Sequence, residues 1–120
     1  MDGMLMLRTA VALFAIAAVG GLVMAGIRMT TKANPPAALA MLHGLLAAAA
    51  LTLVAFATFT SSVPRTAQMA LVLLLGAAAG GAFLNLGYQW KQRLLPMALV
   101  FGHAGLAVVG FGFLAVAAYG

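Results

Sequence analysis

Two histidines are the residues of this chain whose type and spacing most clearly suggest chemistry. His43 and His103 are the only histidines among 120 residues, and they lie 60 residues apart. Each follows a proline, Pro36 or Pro96, by seven residues and lies in a long apolar run. An ionisable side chain in hydrocarbon is costly and is expected to have a function. Because imidazole is a common ligand of haem iron, we interpret the pair as the two axial ligands of one iron.

The apolar runs that carry these histidines indicate the fold class. Hydrophobic residues make up 66% of the chain and charged residues 6%, whereas about a quarter of an average globular protein is charged. Four apolar runs, 9–27, 37–59, 67–87 and 94–119, are near or above the ~20 residues that a helix needs to span a bilayer. The sequence therefore predicts an all-α integral membrane protein. We expect residues 1–120 to form one transmembrane domain, a four-helix up-down bundle.

The two halves of the chain resemble each other when they are aligned with an offset of 60 residues. Fourteen of the 60 pairs are identical, and seven of these are alanine pairs, which this composition produces easily. The other identities include both histidines, both prolines that precede them, and a Gly-Gly pair in the helix before, Gly20-Gly21 and Gly80-Gly81. We interpret the chain as two tandem helical-hairpin repeats, about 1–60 and 61–120, related by an axis along the membrane normal.

The repeat predicts where the histidines lie in the bundle. Helices 2 and 4 run in the same direction, and at 1.5 Å per residue both imidazoles should lie about 10 Å from the same membrane face. In a bundle with short loops these two helices are diagonal neighbours, so the imidazoles can face each other. Small residues are predicted at the same level and would leave room for a flat macrocycle: Gly20, Gly21, Gly44, Gly80 and Gly81.

Basic residues cluster in the two hairpin loops, on the side nearer the histidines. They are Arg28 and Lys32 in the first loop and Lys91 and Arg93 in the last. We expect them to bind the anionic propionates of a haem. They also outnumber the basic residues of the opposite side, so the positive-inside rule predicts that both hairpin loops are cytoplasmic and both termini outside. The composition, rich in alanine and glycine, suggests a multi-pass protein of a bacterial inner membrane.

Several function classes do not fit the residue types present. The chain has no glutamate and a single acidic residue, Asp2, so it lacks the membrane-embedded carboxylate of small multidrug exporters, acid-based proton relays and di-iron sites. It has no cysteine, which excludes iron–sulfur ligation and covalent haem attachment. The net charge of +5 lies at the span ends and does not indicate nucleic-acid binding.

These patterns favour a membrane-embedded b-type cytochrome-like subunit. We expect it to bind one haem b through His43 and His103 and to relay electrons to or from a partner protein or a quinone, without being an enzyme itself. Two alternatives remain open. The chain could be a cofactor-free accessory subunit of a larger membrane complex, whose histidines only bond to neighbouring helices. It could also hold (bacterio)chlorophyll, with one pigment on each histidine. A homo-oligomer is compatible with each of these functions.

Overall fold

The structure is a computed structural model that describes residues 2–120, and these residues are mostly helical. The chain forms α1 (Gly3–Thr31), α2 (Ala37–Thr60), α3 (Arg65–Leu84) with a π-helical turn (Asn85–Gln89), and α4 (Met97–Tyr119). Four helices, counting α3 with its π-helical turn, are long and apolar enough to cross a membrane. The prediction of an all-α protein with four apolar spans is confirmed. An apolar helix satisfies its own backbone groups, which is why such segments are helical in lipid.

The helix ends differ from the predicted spans for identifiable reasons. α1 begins well before the predicted run because the side chain of Asp2 caps it, accepting a hydrogen bond of 2.7 Å from the Leu5 N–H. α4 begins later than predicted, at Met97, because Pro96 is its N-terminal cap residue. Pro36 is likewise the cap residue of α2, whereas the sequence suggests that both prolines lie within the first turn.

The four helices pack as two hairpins. α1 packs along α2 and α3 along α4, and the hairpins meet through α1 with α4 and through α2 with α3. α2 and α4, which carry the histidines, therefore lie diagonally across a bundle of 44 × 22 × 21 Å. The tandem repeat stays a prediction, although several contacts described below recur at positions 60 residues apart.

Close packing is concentrated at the end of the bundle that holds both termini and the α2–α3 loop. The largest fully buried side chains, Leu7, Val54 and Leu114, all lie there. Gly110 of α4 lies against α3 so closely that a Cβ atom would be 2.8 Å from Cγ of Leu74. The opposite end, which holds the histidines and the two hairpin loops, encloses a cleft instead.

Hydrogen bonds join the two hairpin loops at the cleft end. Asn34, a plausible helix cap from its sequence position, instead donates from Nδ2 to the Arg93 carbonyl at 2.7 Å and accepts from the Leu95 N–H at 2.9 Å. Gln89 donates to the Pro35 carbonyl at 2.7 Å. A capping role for Asn34 is wrong, because Pro36 occupies the cap position and the amide of Asn34 faces the other loop.

Candidate functional site

The two histidines lie together in the interior of the bundle. The ring centroids of His43 and His103 are 6.2 Å apart, and the ring planes are inclined at 80°. Each ring belongs to a different hairpin, and both line the same cleft. The predicted approach of the two imidazoles across the bundle is therefore what the structure has.

Each imidazole is held by a backbone carbonyl of the preceding helix. His43 Nδ1 lies 2.7 Å from the Ala17 carbonyl oxygen, and His103 Nδ1 lies 2.7 Å from the Ala77 carbonyl oxygen. A carbonyl oxygen has no hydrogen to give, so Nδ1 carries the proton and donates in both cases. In a neutral ring this leaves the lone pair on Nε2, which is the nitrogen then available as a ligand.

Glycine makes this contact possible on both sides. In an α-helix the Ala17 carbonyl also accepts the N–H of residue 21, so the imidazole approaches directly over Gly21. A Cβ on Gly21 would lie 3.1 Å from His43 Cε1, and a Cβ on Gly81 would lie 2.9 Å from His103 Cε1. A side chain at either position would therefore displace the ring. These two glycines make room for the imidazoles, whereas the sequence analysis assigns that room to a macrocycle.

The other glycines predicted for the site have different surroundings. A Cβ on Gly20 or Gly44 would meet no atom within 4 Å, and one on Gly80 would be 3.8 Å from the Cβ of His103. Gly44 lines the cleft, whereas Gly20 and Gly80 do not. Only the second glycine of each Gly-Gly pair thus faces the cleft directly.

The cleft around the histidines has a volume of about 550 Å³, within the range of about 300 to 1,000 Å³ of small-molecule and cofactor sites. Its walls are mainly apolar and small side chains. Those on α1 and α3 recur at equal spacing and are Ala17, Ala18, Gly21, Ala77, Ala78 and Gly81. The space exists because alanine and glycine replace the larger residues that fill the other end of the bundle.

The loop end of the cleft is polar. Arg28, Asn85 and Gln89 contribute to its lining. Arg28 donates from Nε to the Leu95 carbonyl at 3.0 Å. The Oε1 atom of Gln89 is buried and has no hydrogen-bond partner among residues 2–120. Of the four basic residues predicted to bind a ligand, only Arg28 lines the cleft.

The remaining three basic residues, Lys32, Lys91 and Arg93, lie outside the cleft and are exposed. The Arg93 guanidinium stacks on the ring of Tyr88, 4.9 Å from its centroid. The structure therefore brings only Arg28 of this set to the histidine cleft.

The donor set of the cleft restricts the metal chemistry that it supports. Among residues 2–120, no group of three or more His, Cys, Asp or Glu side chains is arranged to hold a metal ion. A zinc site built from protein ligands needs at least three. A metal that already has equatorial ligands, such as haem iron, needs only axial ones.

Comparison of the chain with protein-family models, with curated proteins and with solved structures gave no match. The function is therefore inferred from the residues of the cleft.

The carbonyl acceptors of the site were missed by sequence reasoning. Ala17 and Ala77 act through backbone oxygens, which every residue has, so their identity carries no direct signal. The only indication in the sequence is indirect. Each lies four residues before a glycine, Gly21 or Gly81, in a small-xxx-small pattern that allows another helix to come close.

Proposed function

We propose that this four-helix membrane protein binds one haem b between His43 and His103 and acts as an electron-transfer subunit. The observation that carries the proposal is the facing pair of imidazoles, with centroids 6.2 Å apart in one cleft. With metal–nitrogen bonds of about 2 Å, and a centroid about 1 Å behind each ligating nitrogen, two imidazoles on opposite sides of one metal have centroids roughly 6 Å apart. The observed separation agrees with that requirement.

The hydrogen bonds of both rings support the same proposal. A histidine that binds a metal through one nitrogen usually donates from the other to a carbonyl or carboxylate, which fixes the tautomer and the ring orientation. His43 and His103 have such bonds through Nδ1. Neither Nε2 has a hydrogen-bond partner in the part of the chain that the structure describes. The ligating atoms are thereby oriented before any ligand arrives.

The protein's own residues account for the kind of chemistry that would result. Haem with two axial histidines supplies one-electron exchange without an open coordination position for oxygen or a substrate. The apolar walls of the cleft exclude water, and Arg28 adds a positive charge at its polar end. We infer a relay rather than an enzyme, working with a redox protein or a quinone as the electron partner, in a bacterial inner membrane with both hairpin loops cytoplasmic.

A cofactor-free accessory subunit is the second candidate, and one observation favours it. The bonds from His43 to Ala17 and from His103 to Ala77 each join two helices, so both histidines have a packing function without any ligand. That function uses Nδ1 alone. It does not require the two rings to face each other across the hairpins, which is why we prefer the haem proposal.

A spectrum of the purified protein tests the proposal. We expect a reduced-minus-oxidised spectrum in detergent to have sharp low-spin b-type bands, and a pyridine haemochrome assay to give one haem per chain. Protein from haem-replete cells that is colourless, and that does not bind added haemin, would overturn the proposal in favour of the accessory subunit. An extracted magnesium pigment, two per chain, would favour the (bacterio)chlorophyll alternative.

A further inference from the structure

Arg28 is the only basic residue that lines the histidine cleft. It is partly buried, and its Nε donates to the Leu95 carbonyl. This bond uses one of the five guanidinium N–H groups, so the terminal nitrogens remain available. The charge therefore lies at the polar end of an otherwise apolar cleft.

The chain itself offers no counter-ion for this charge. Its single acidic residue, Asp2, caps the opposite end of α1. With 26 residues between them and a rise of 1.5 Å per residue, Asp2 and Arg28 are about 39 Å apart. A guanidinium in low-dielectric surroundings is costly unless an anion pairs with it. The planar guanidinium matches a carboxylate, which it can bind through two parallel hydrogen bonds.

We propose that the cleft takes an amphipathic ligand whose ionised carboxylate binds Arg28, while its apolar body lies at the histidines. The proposal rests on the proposed function for the identity of that body, and it orients the ligand with its acid end at the hairpin loops. Asn85, which also lines this end, supplies an amide that can donate to the same carboxylate. A magnesium pigment whose acid side chains are esterified lacks the anion that Arg28 requires.

Haemin and its dimethyl ester provide the test, because they differ only in the two carboxylates. We would titrate both into the apoprotein in detergent and compare wild type, Arg28→Gln and the matched control Arg65→Gln at the exposed start of α3. Wild type and the control should bind haemin roughly 10- to 100-fold more tightly than the ester. Arg28→Gln should lose most of this preference by weakening haemin binding, with little effect on the ester.

Each outcome bears on the inference. Equal affinity of wild type for both porphyrins would overturn it and leave the haem proposal standing, and this comparison needs no variant. An unchanged preference in a folded Arg28→Gln protein would do the same. Absence of binding of either porphyrin would overturn both the haem proposal and the inference that rests on it.

Discussion

The imidazoles of His43 and His103 lie with centroids 6.2 Å apart, although each is hydrogen-bonded within a different hairpin. His43 bonds to α1, and His103 bonds to α3. Each hairpin therefore orients one ring, and the docking of the two hairpins brings the rings together. The site depends on the four-helix arrangement, whereas the orientation of each ring depends on two helices only.

Replacement of either histidine should have the same large effect if one iron has both as ligands. We expect His43→Ala and His103→Ala each to abolish the low-spin spectrum, and added imidazole to restore it in part. The exposed neighbour Leu42 provides the control Leu42→Ala, which should leave the spectrum unchanged. Loss of about half of the chromophore in each variant would indicate one pigment per histidine. An unaffected spectrum in both variants would contradict ligation.

Gly81 should be the glycine least tolerant of substitution in the site. A methyl group there would lie 2.9 Å from His103 Cε1, so Gly81→Ala should displace the ring and weaken its bond to Ala77. We expect reduced haem occupancy and a shifted reduction potential, measured by redox titration. Gly20→Ala is the matched control, since a methyl group there would meet nothing within 4 Å. Equal occupancy in both variants would contradict the role assigned to Gly81.

Gly110 should be essential to the packed end of the bundle and not to the cleft. A Cβ at this position would lie 2.8 Å from Leu74 Cγ on the facing helix. We expect Gly110→Ala to destabilise the protein by about 1–3 kcal/mol, as overpacking does. Thermal unfolding in detergent would measure the effect against Gly112→Ala, where a Cβ would meet no atom within 4 Å. A stability equal to that of the control would show that α3 and α4 separate easily here.

Asn34 should hold the two hairpin loops together. Its side chain donates to the Arg93 carbonyl and accepts from the Leu95 N–H. Asn34→Ala removes both bonds, each contributing about 0.5–1.5 kcal/mol. We expect faster hydrogen exchange at the Leu95 amide, by roughly tenfold, than in wild type or in the exposed-loop control Lys91→Ala. Unchanged exchange would mean that other contacts hold the loop in place.

The predicted topology can be tested directly because the chain has no cysteine. Single cysteines at the exposed positions Ser62 and Gln92 would report on the two sides of the membrane. With hairpin loops in the cytoplasm, a membrane-impermeant maleimide should label Ser62→Cys in intact spheroplasts and label Gln92→Cys only after permeabilisation. The reverse pattern would invert the orientation that the basic residues predict.

Part of the candidate site could be predicted because the two histidines have an unusual side chain at a repeated spacing. Their depth follows from the distance to Pro36 and Pro96, and their approach follows from helix order. The choice of Arg28 from four basic residues could not be predicted. It depends on which way the end of α1 faces, and a charge beside a loop has no sequence pattern that gives its orientation.

The loop end shows the same limit. The π-helical turn Asn85–Gln89 contains one residue more per turn than an α-helix, which changes the direction of the side chains that follow it. Gln89 consequently reaches the Pro35 carbonyl of the other hairpin. Asn34 has the composition of a helix cap, yet it bonds to the facing loop. Both contacts arise from long-range docking, about which local residue preference carries no information.

The sequence by itself determined that the chain has four membrane-spanning helices and that each hairpin has one histidine. These properties are local, because a long apolar segment in lipid must satisfy its own backbone hydrogen bonds and therefore forms a helix. Only the tertiary structure decided that the Ala17 and Ala77 carbonyls hold the imidazoles, and that Gly21 and Gly81 admit them. Those relationships require distances of a few ångströms between separate helices, and such distances are set by packing.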